Sequence, residues 1–202
     1  MNEVSYCHSL FYGTRAAEDL AKLLVDSTNG EMSRAFFISS GSEAVEAALK
    51  MARQYHLEKP NPEPQRTRFI SRDQSYHGTT LGALGAGGHV ARRAIFEPML
   101  SVNTSRVSPC YAYRGMPHPI ASEAAYVAKL EAELDAEFKR VGPQNVAAFI
   151  AEPVVGESNF LRLSPFQLLT LARCCAGLRP SIARLLQGRA KNMRQIWRAS
   201  HL

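Results

Sequence analysis

The chain has 202 residues, 46% of them apolar and 8% aromatic, which allows the core of one medium domain. No apolar run approaches the length of a membrane span, and the opening stretch MNEVSYCHSLFYG lacks a basic region followed by an apolar one. The four cysteines, Cys7, Cys110, Cys174 and Cys175, show no Cys-x-x-Cys spacing, which argues against a zinc site or a disulfide framework and for a reducing compartment.

The net charge of +6 is unevenly spread. All 18 acidic residues lie at or before Glu157, where 16 Lys and Arg leave a net of −2. From Ser158 to Leu202 there are 8 basic residues and no acid, a net of +8. This is a break in composition, and it suggests a boundary near Glu157.

Taken in order, Thr14 to Asp26 reads as a helix with Ala17, Leu20, Ala21 and Leu24 on one face and Thr14 as its N-cap. Ser27-Thr28-Asn29-Gly30 ends it. Ala35-Phe36-Phe37-Ile38 is a short apolar run of strand length. It breaks into Ser39-Ser40-Gly41-Ser42, and a helical pattern follows, with Val45, Ala48, Leu49 and Ala52 recurring on one face. Ser40 and Glu43 have capping-box spacing, which starts the helix near Gly41 or Ser42. Many capping boxes do no more than start a helix. A strand, a Gly/Ser turn and a helix N-terminus also make an anion site, because the first N–H groups lack internal partners and the helix dipole favours negative charge there. Gly41 has no Cβ to hold an anion away, and the serine hydroxyls add donors.

The three prolines between Glu58 and Arg68 require a loop. Arg68 to Ser71 reads as the next strand, Asp73 to Thr80 as a polar turn, and Leu81 to Ala86 as a short helix. The Gly-x-Gly-Gly at 85 to 88 follows a helical segment rather than a strand, so it is not read as a nucleotide loop. Ala91 to Tyr113 looks irregular. Ser122 caps a helix to Arg140 with Val127, Leu130, Leu134 and Phe138 as its apolar stripe, and Gly142-Pro143 stops it. Val146 to Ala151 is an apolar strand leading into Glu152-Pro153-Val154-Val155. A carboxylate at the C-terminal end of such a strand lies where open α/β sheets bind ligands.

Three of these junctions carry a family resemblance. Ser-Gly-Ser-Glu-Ala followed by Glu-Ala-Ala-Leu-Lys resembles the phosphate-binding segment of class-III aminotransferases, which use pyridoxal 5′-phosphate (PLP). Tyr76-His77-Gly78 is similar to a second motif of that family, and Ala151-Glu152-Pro153-Val154 to a third. They stand in the family's order, and the resemblance covers roughly Tyr6 to Glu157. It implies an α/β fold, an incomplete type-I PLP-transferase (aspartate aminotransferase-like) large domain with three αβα layers. It further implies that Ser40, Gly41 and Ser42 hold the cofactor phosphate, that Tyr76 lies against the pyridine ring with His77 beside it, and that Glu152 borders the pocket. Many members have Asn where this chain has Val45, a helix-face position rather than a phosphate donor. The implied reaction moves an amino group between an amino acid or amine and a 2-oxo acid, in a homodimer without metal. A cytoplasmic location is expected, with a mitochondrial one left open because family members carry a segment before the equivalent of Tyr6. Nucleic acid or membrane partners are not expected.

The resemblance stops at Glu157. A strand ending in the Asp that pairs with the pyridine nitrogen is expected next, and later the lysine that bonds the cofactor aldehyde. No Asp follows Asp135, and Lys191 is the one lysine past Lys139, in a Lys-Asn-Met-Arg context unlike the family's. The expectation is therefore residues 1–157 as a partial large domain without catalytic residues of its own, and 158–202 as an unrelated basic tail, disordered or read from intron or shifted-frame sequence. Phe166 to Ala172 and Ile182 to Trp197 also fit basic amphipathic helices. The alternative to a transaminase is a non-catalytic pseudoenzyme that binds an anionic ligand or a full-length homologue, with a tail that contacts nucleic acid or acidic membrane.

Overall fold

A computed structural model describes residues 6–8, 12–115, 122–152, 154–155 and 161–162. The expectations for Pro117, Pro119, Pro153 and the helices and Cys-Cys pair of the tail lie outside these residues. The described residues fall into two compact units, one up to Phe37 and one from Ile38 onward.

The first unit holds helix α1 (Arg15–Asp26). Thr14 is its N-cap, and its hydroxyl accepts from Ala17 N–H at 3.3 Å. The chain leaves α1 through Asn29 and Gly30, both at positive φ. None of its residues is buried, so the Ala17, Leu20, Ala21 and Leu24 face forms as the spacing predicts but stays uncovered.

The second unit opens with helix α2 (Gly41–Leu57). Strand β1 (Arg68–Arg72) follows, then the short helices α3 (Leu81–Ala86) and α4 (Val90–Arg93). Next come strand β2 (Thr104–Val107), the short helix α5 (Ala112–Gly115), helix α6 (Glu123–Val141) and strand β3 (Val146–Phe149). A two-residue pair, β4 (Val154–Val155) and β5 (Leu161–Arg162), is antiparallel.

The sheet has the order β2-β1-β3, and both pairings are parallel. In register, Phe69 faces Thr104 and Arg72 faces Val107 across β1 and β2. All three strands thus end on one edge, and the chain leaves β1 toward Tyr76 and β3 toward Glu152 from that edge. The parallel strands and intervening helices agree with the expected α/β class.

The core lies between the sheet and α6. Tyr126, Leu130, Leu134 and Phe138 of α6 pack with Ile70, Val107, Cys110 and Val146. Leu130, Leu134 and Phe138 of the stripe read from the sequence therefore face the sheet with Tyr126, while Val127 is buried outside this cluster. Tyr126 keeps its hydroxyl satisfied inside the core by donating to Pro109 O at 3.0 Å and accepting from Tyr111 N–H at 2.9 Å. Ser122 caps α6 through Ala125 N–H, and Gly142 ends it at φ 86°. The far end of α2 is tied to the sheet by His56, whose Nε2–H donates to Ala147 O at 2.9 Å. Its Nδ1 faces Lys59 and Glu63. Hydrogen bonds from Arg66, then Lys59, hold the Glu63 carboxyl far below the usual carboxylate range.

Two expectations are corrected. Ala35 to Ile38 is not a strand. A strand needs a ladder partner as well as apolar side chains, and none pairs there among the described residues; Phe36 is 69% exposed. Within Ala91 to Tyr113, Thr104 to Val107 is the strand β2 rather than irregular chain. Among the described residues no helix is long and apolar enough to cross a membrane.

Candidate functional site

The N-terminus of α2 forms as the spacing predicts. Ser40 is extended, and its hydroxyl accepts from Glu43 N–H at 3.2 Å. Glu43 reaches back to Ser39 N–H at 3.1 Å, one residue earlier than the standard reciprocal bond. The capping box leaves the N–H groups of Gly41 and Ser42 at the helix entrance, without an acceptor one turn back. A Cβ built on Gly41 would meet nothing within 4 Å. A side chain at Gly41 would therefore point into open space at the start of a 17-residue helix.

The Tyr76–His77–Gly78 turn lies against this first turn. Thr79 N–H donates to Ser42 Oγ at 2.9 Å, and the two hydroxyl oxygens are 3.4 Å apart. Ser42 Oγ thus accepts from the Thr79 backbone, and the two hydroxyls form a further hydrogen bond in which either can donate. Gly78 is at φ 135°, and a Cβ there would stand 2.8 Å from Ser42 Cα. Only glycine allows this approach.

The third motif reaches the same turn from the other side. Tyr76 N–H donates to Glu152 Oε1 at 2.7 Å, across 76 positions of sequence. The Tyr76 ring is half-buried, and the Arg92 guanidinium lies over one face, 4.9 Å from the ring centroid. His77 is buried, and its Nε2 finds no hydrogen-bond partner. Burial lowers its pKa to about 4, so the imidazole is neutral at pH 7.

All six residues singled out from the sequence thus lie along one connected path. Ser40, Gly41 and Ser42 form the helix entrance, Tyr76 and His77 lie in the turn against it, and Glu152 holds that turn from the segment that follows β3. Thr79 and Arg92 were missed, as was Glu46, whose Oε1 accepts from Gly82 N–H at 2.8 Å just past the same turn. Thr79 follows Gly78 directly, but nothing in its residue type signals the contact. Arg92 stands in the stretch Ala91 to Tyr113 that reads only as irregular chain.

The Gly-x-Gly-Gly at 85 to 88 has the opposite polarity from a phosphate loop. Arg93 Nη1 donates to the carbonyls of Leu84, Gly85 and Gly87 at 2.7 to 2.9 Å. Arg106 adds bonds to Gly87 O and Gly85 O. These carbonyls at the end of α3 face two cations, as a helix C-terminus favours. Among the described residues there is no group of three His, Cys, Asp or Glu suited to a metal ion.

The arrangement suits a flat, anionic ligand. It has two entrance N–H groups, serine hydroxyls and the positive end of a helix dipole for an anion, with an aromatic ring one short turn away. PLP has a phosphate and a planar ring, so these residues fit its two binding demands.

The family model for class-III aminotransferases matches residues 1–177. Among curated proteins, an aminotransferase of Gibberella zeae is 52% identical over 157 residues, which is 77% of this chain and 30% of that protein. An uncharacterized aminotransferase of Schizosaccharomyces pombe is 46% identical over 154 residues, covering 76% of this chain and 33% of the relative. The chain thus spans about a third of the length of these relatives. Among solved structures, a PLP-bound amine transaminase from an uncultivated Pseudomonas species matches with TM-score 0.80 at 31% identity, over 88% of this chain and 39% of that one. A thermostable (S)-enantioselective omega-transaminase from Thermomicrobium roseum matches with TM-score 0.81 at 29% identity, over 88% of this chain and 39% of that one. The expected fold stands, as part of the large domain of type-I PLP enzymes, and the chain belongs to the class-III aminotransferases.

Proposed function

We propose that this chain carries the phosphate and ring-face part of a transaminase cofactor site, and that its 202 residues as they stand bind PLP without turning over substrate. The observation that supports this most is the double attachment of one turn. Thr79 N–H bonds Ser42 Oγ and Tyr76 N–H bonds Glu152 Oε1, so three motifs far apart in sequence share one geometry.

In this reading Gly41 and Ser42 N–H groups and the Ser40 and Ser42 hydroxyls hold the phosphate. Tyr76 sets the tilt of the ring, and Glu152 fixes Tyr76 by its backbone. His77 stays neutral and adds no positive charge beside the ring. When bound in a complete site, the cofactor supplies the electron sink that lets an amino group move between an amine or amino acid and a 2-oxo acid. The residues here bind and orient. None of them supplies the amine that bonds the cofactor aldehyde or the acid that pairs with the ring nitrogen, since Lys50 lies on the exposed side of α2. A homodimer and a cytoplasmic setting complete the reading by analogy with the family.

The test is a discontinuous transamination assay on the purified chain with PLP, an amino donor and a 2-oxo acid. Product formation should equal that of PLP in buffer. Turnover above that background would contradict the inactivity of these residues.

A further inference from the structure

We infer that Glu46 is a positioning residue for this site. The inference rests on the cofactor reading above, and it names a residue which that reading does not use. Glu46 follows Ser42 by four positions on α2, so the two side chains lie one turn apart on the same face. Gly82 follows Gly78 by four positions in the facing segment. Ser42 Oγ accepts from Thr79 N–H at 2.9 Å, and Glu46 Oε1 accepts from Gly82 N–H at 2.8 Å. Two successive acceptors of one helix thus hold two backbone donors of the other segment.

The second bond answers a local deficit. Gly82 is in the first turn of α3, whose N–H groups need outside acceptors. Thr80 is the N-cap, yet its side chain makes no capping bond, and its buried Oγ1 has no partner. The carboxylate of Glu46 supplies the acceptor from α2, with its charge at the favourable end of α3. The fit is close. A Cβ on Gly82 would stand 2.7 Å from Glu46 Oε1 and 2.8 Å from its Cδ. The segment Tyr76 to Gly82 is therefore fixed at three backbone N–H groups, by Glu152, Ser42 and Glu46. The first two fix the turn at and before Thr79. Glu46 fixes its exit, and without it the segment after Thr79 is released from α2 and the Thr79–Ser42 contact at the helix entrance loses its support on that side.

Three variants test this: Glu46→Ala, Glu46→Gln and Gly82→Ala. Glu46→Gln keeps an oxygen acceptor at the same reach. Gly82→Ala keeps the charge but displaces the flexible end of the Glu46 side chain. The readouts are amide hydrogen exchange at Gly82, affinity for pyridoxamine 5′-phosphate by equilibrium dialysis, and thermal unfolding. The probe has no aldehyde, so surface lysines do not capture it. In Glu46→Ala, Gly82 exchange should rise and affinity should fall, each by about tenfold or more, as expected for losing a hydrogen bond to a charged acceptor. The unfolding midpoint should stay within a few degrees. Glu46→Gln should restore most of both effects, Gly82→Ala should reproduce the loss, and the double variant Glu46→Ala with Gly82→Ala should be no worse than either alone. Unchanged exchange in Glu46→Ala would overturn the clasp itself. Raised exchange with unchanged affinity would make Glu46 purely structural and overturn its positioning role. A wild-type chain that takes up no probe would overturn the cofactor reading and the positioning role with it, and the exchange data separate that failure from failure of the clasp.

Discussion

Replacing Gly78 with Ala should cost about 3 kcal/mol or more of folding stability and abolish binding of pyridoxamine 5′-phosphate. Two effects add. The residue sits at φ 135°, a backbone region that side chains with a Cβ avoid. The new methyl would also lie 2.7 Å from Ser42 Oγ, 2.8 Å from Ser42 Cα and 2.9 Å from Ala83 Cβ. These are not the loose ends of long side chains, so the turn itself must retreat from α2. Retreat breaks the Thr79–Ser42 bond and separates the helix entrance from Tyr76. Gly41→Ala is the informative contrast. That position meets open space and begins a helix, so alanine there should leave stability nearly unchanged while intruding on the anion's place. Urea unfolding of both variants beside dialysis with the probe checks the pair. A Gly78→Ala chain as stable as wild type would show that the close approach of the two motifs is wrong.

Acidification should destabilise the protein through His77. Its folded pKa is lowered to about 4 from 6.5 by burial. Between these values the unfolded chain holds a proton that the folded chain does not. Stability therefore falls as pH drops below about 6.5 and stops falling from this cause below about 4. The lowering corresponds to roughly 3 kcal/mol at full effect, an upper value for a residue at the edge of the core. Carboxylates also respond in this range, so the difference between wild type and His77→Gln is the quantity that isolates it. That difference should shrink at pH 7.5 and grow toward pH 4.5 in favour of the variant. Parallel pH profiles would mean that His77 titrates normally and is not buried as neutral imidazole.

Much of the architecture was legible because its signals are local. The Ser40–Glu43 capping box, the Ser122 cap and the Leu130, Leu134, Phe138 stripe are set by residues within a turn or two of each other. Glu152 was legible as a strand-end acid, though its partner, the Tyr76 backbone, was not. Strands were harder. Ala35 to Ile38 has the side chains of a buried strand and no ladder partner among the described residues, while Thr104-Ser105-Arg106-Val107 has polar residues and pairs with β1 throughout. Pairing decides a strand, and pairing is not written in the segment itself. The candidate site followed the same rule. Residues with family motifs were readable, whereas Glu46 accepts from the Gly82 N–H 36 positions away and Thr79 donates its own N–H to the Ser42 hydroxyl 37 positions away. No periodicity marks such bonds.

The most direct measurement is to compare pyridoxamine 5′-phosphate with pyridoxamine as ligands of the purified chain by equilibrium dialysis. If the entrance of α2 holds the phosphate, the phosphorylated form should bind saturably and at least about tenfold more tightly than pyridoxamine, since a charge-assisted set of donors is lost with the phosphate. Ser42→Ala should remove most of that preference. Equal affinity for the two forms, or a preference that survives Ser42→Ala unchanged, would contradict the assignment of Ser40, Gly41 and Ser42 as the phosphate site.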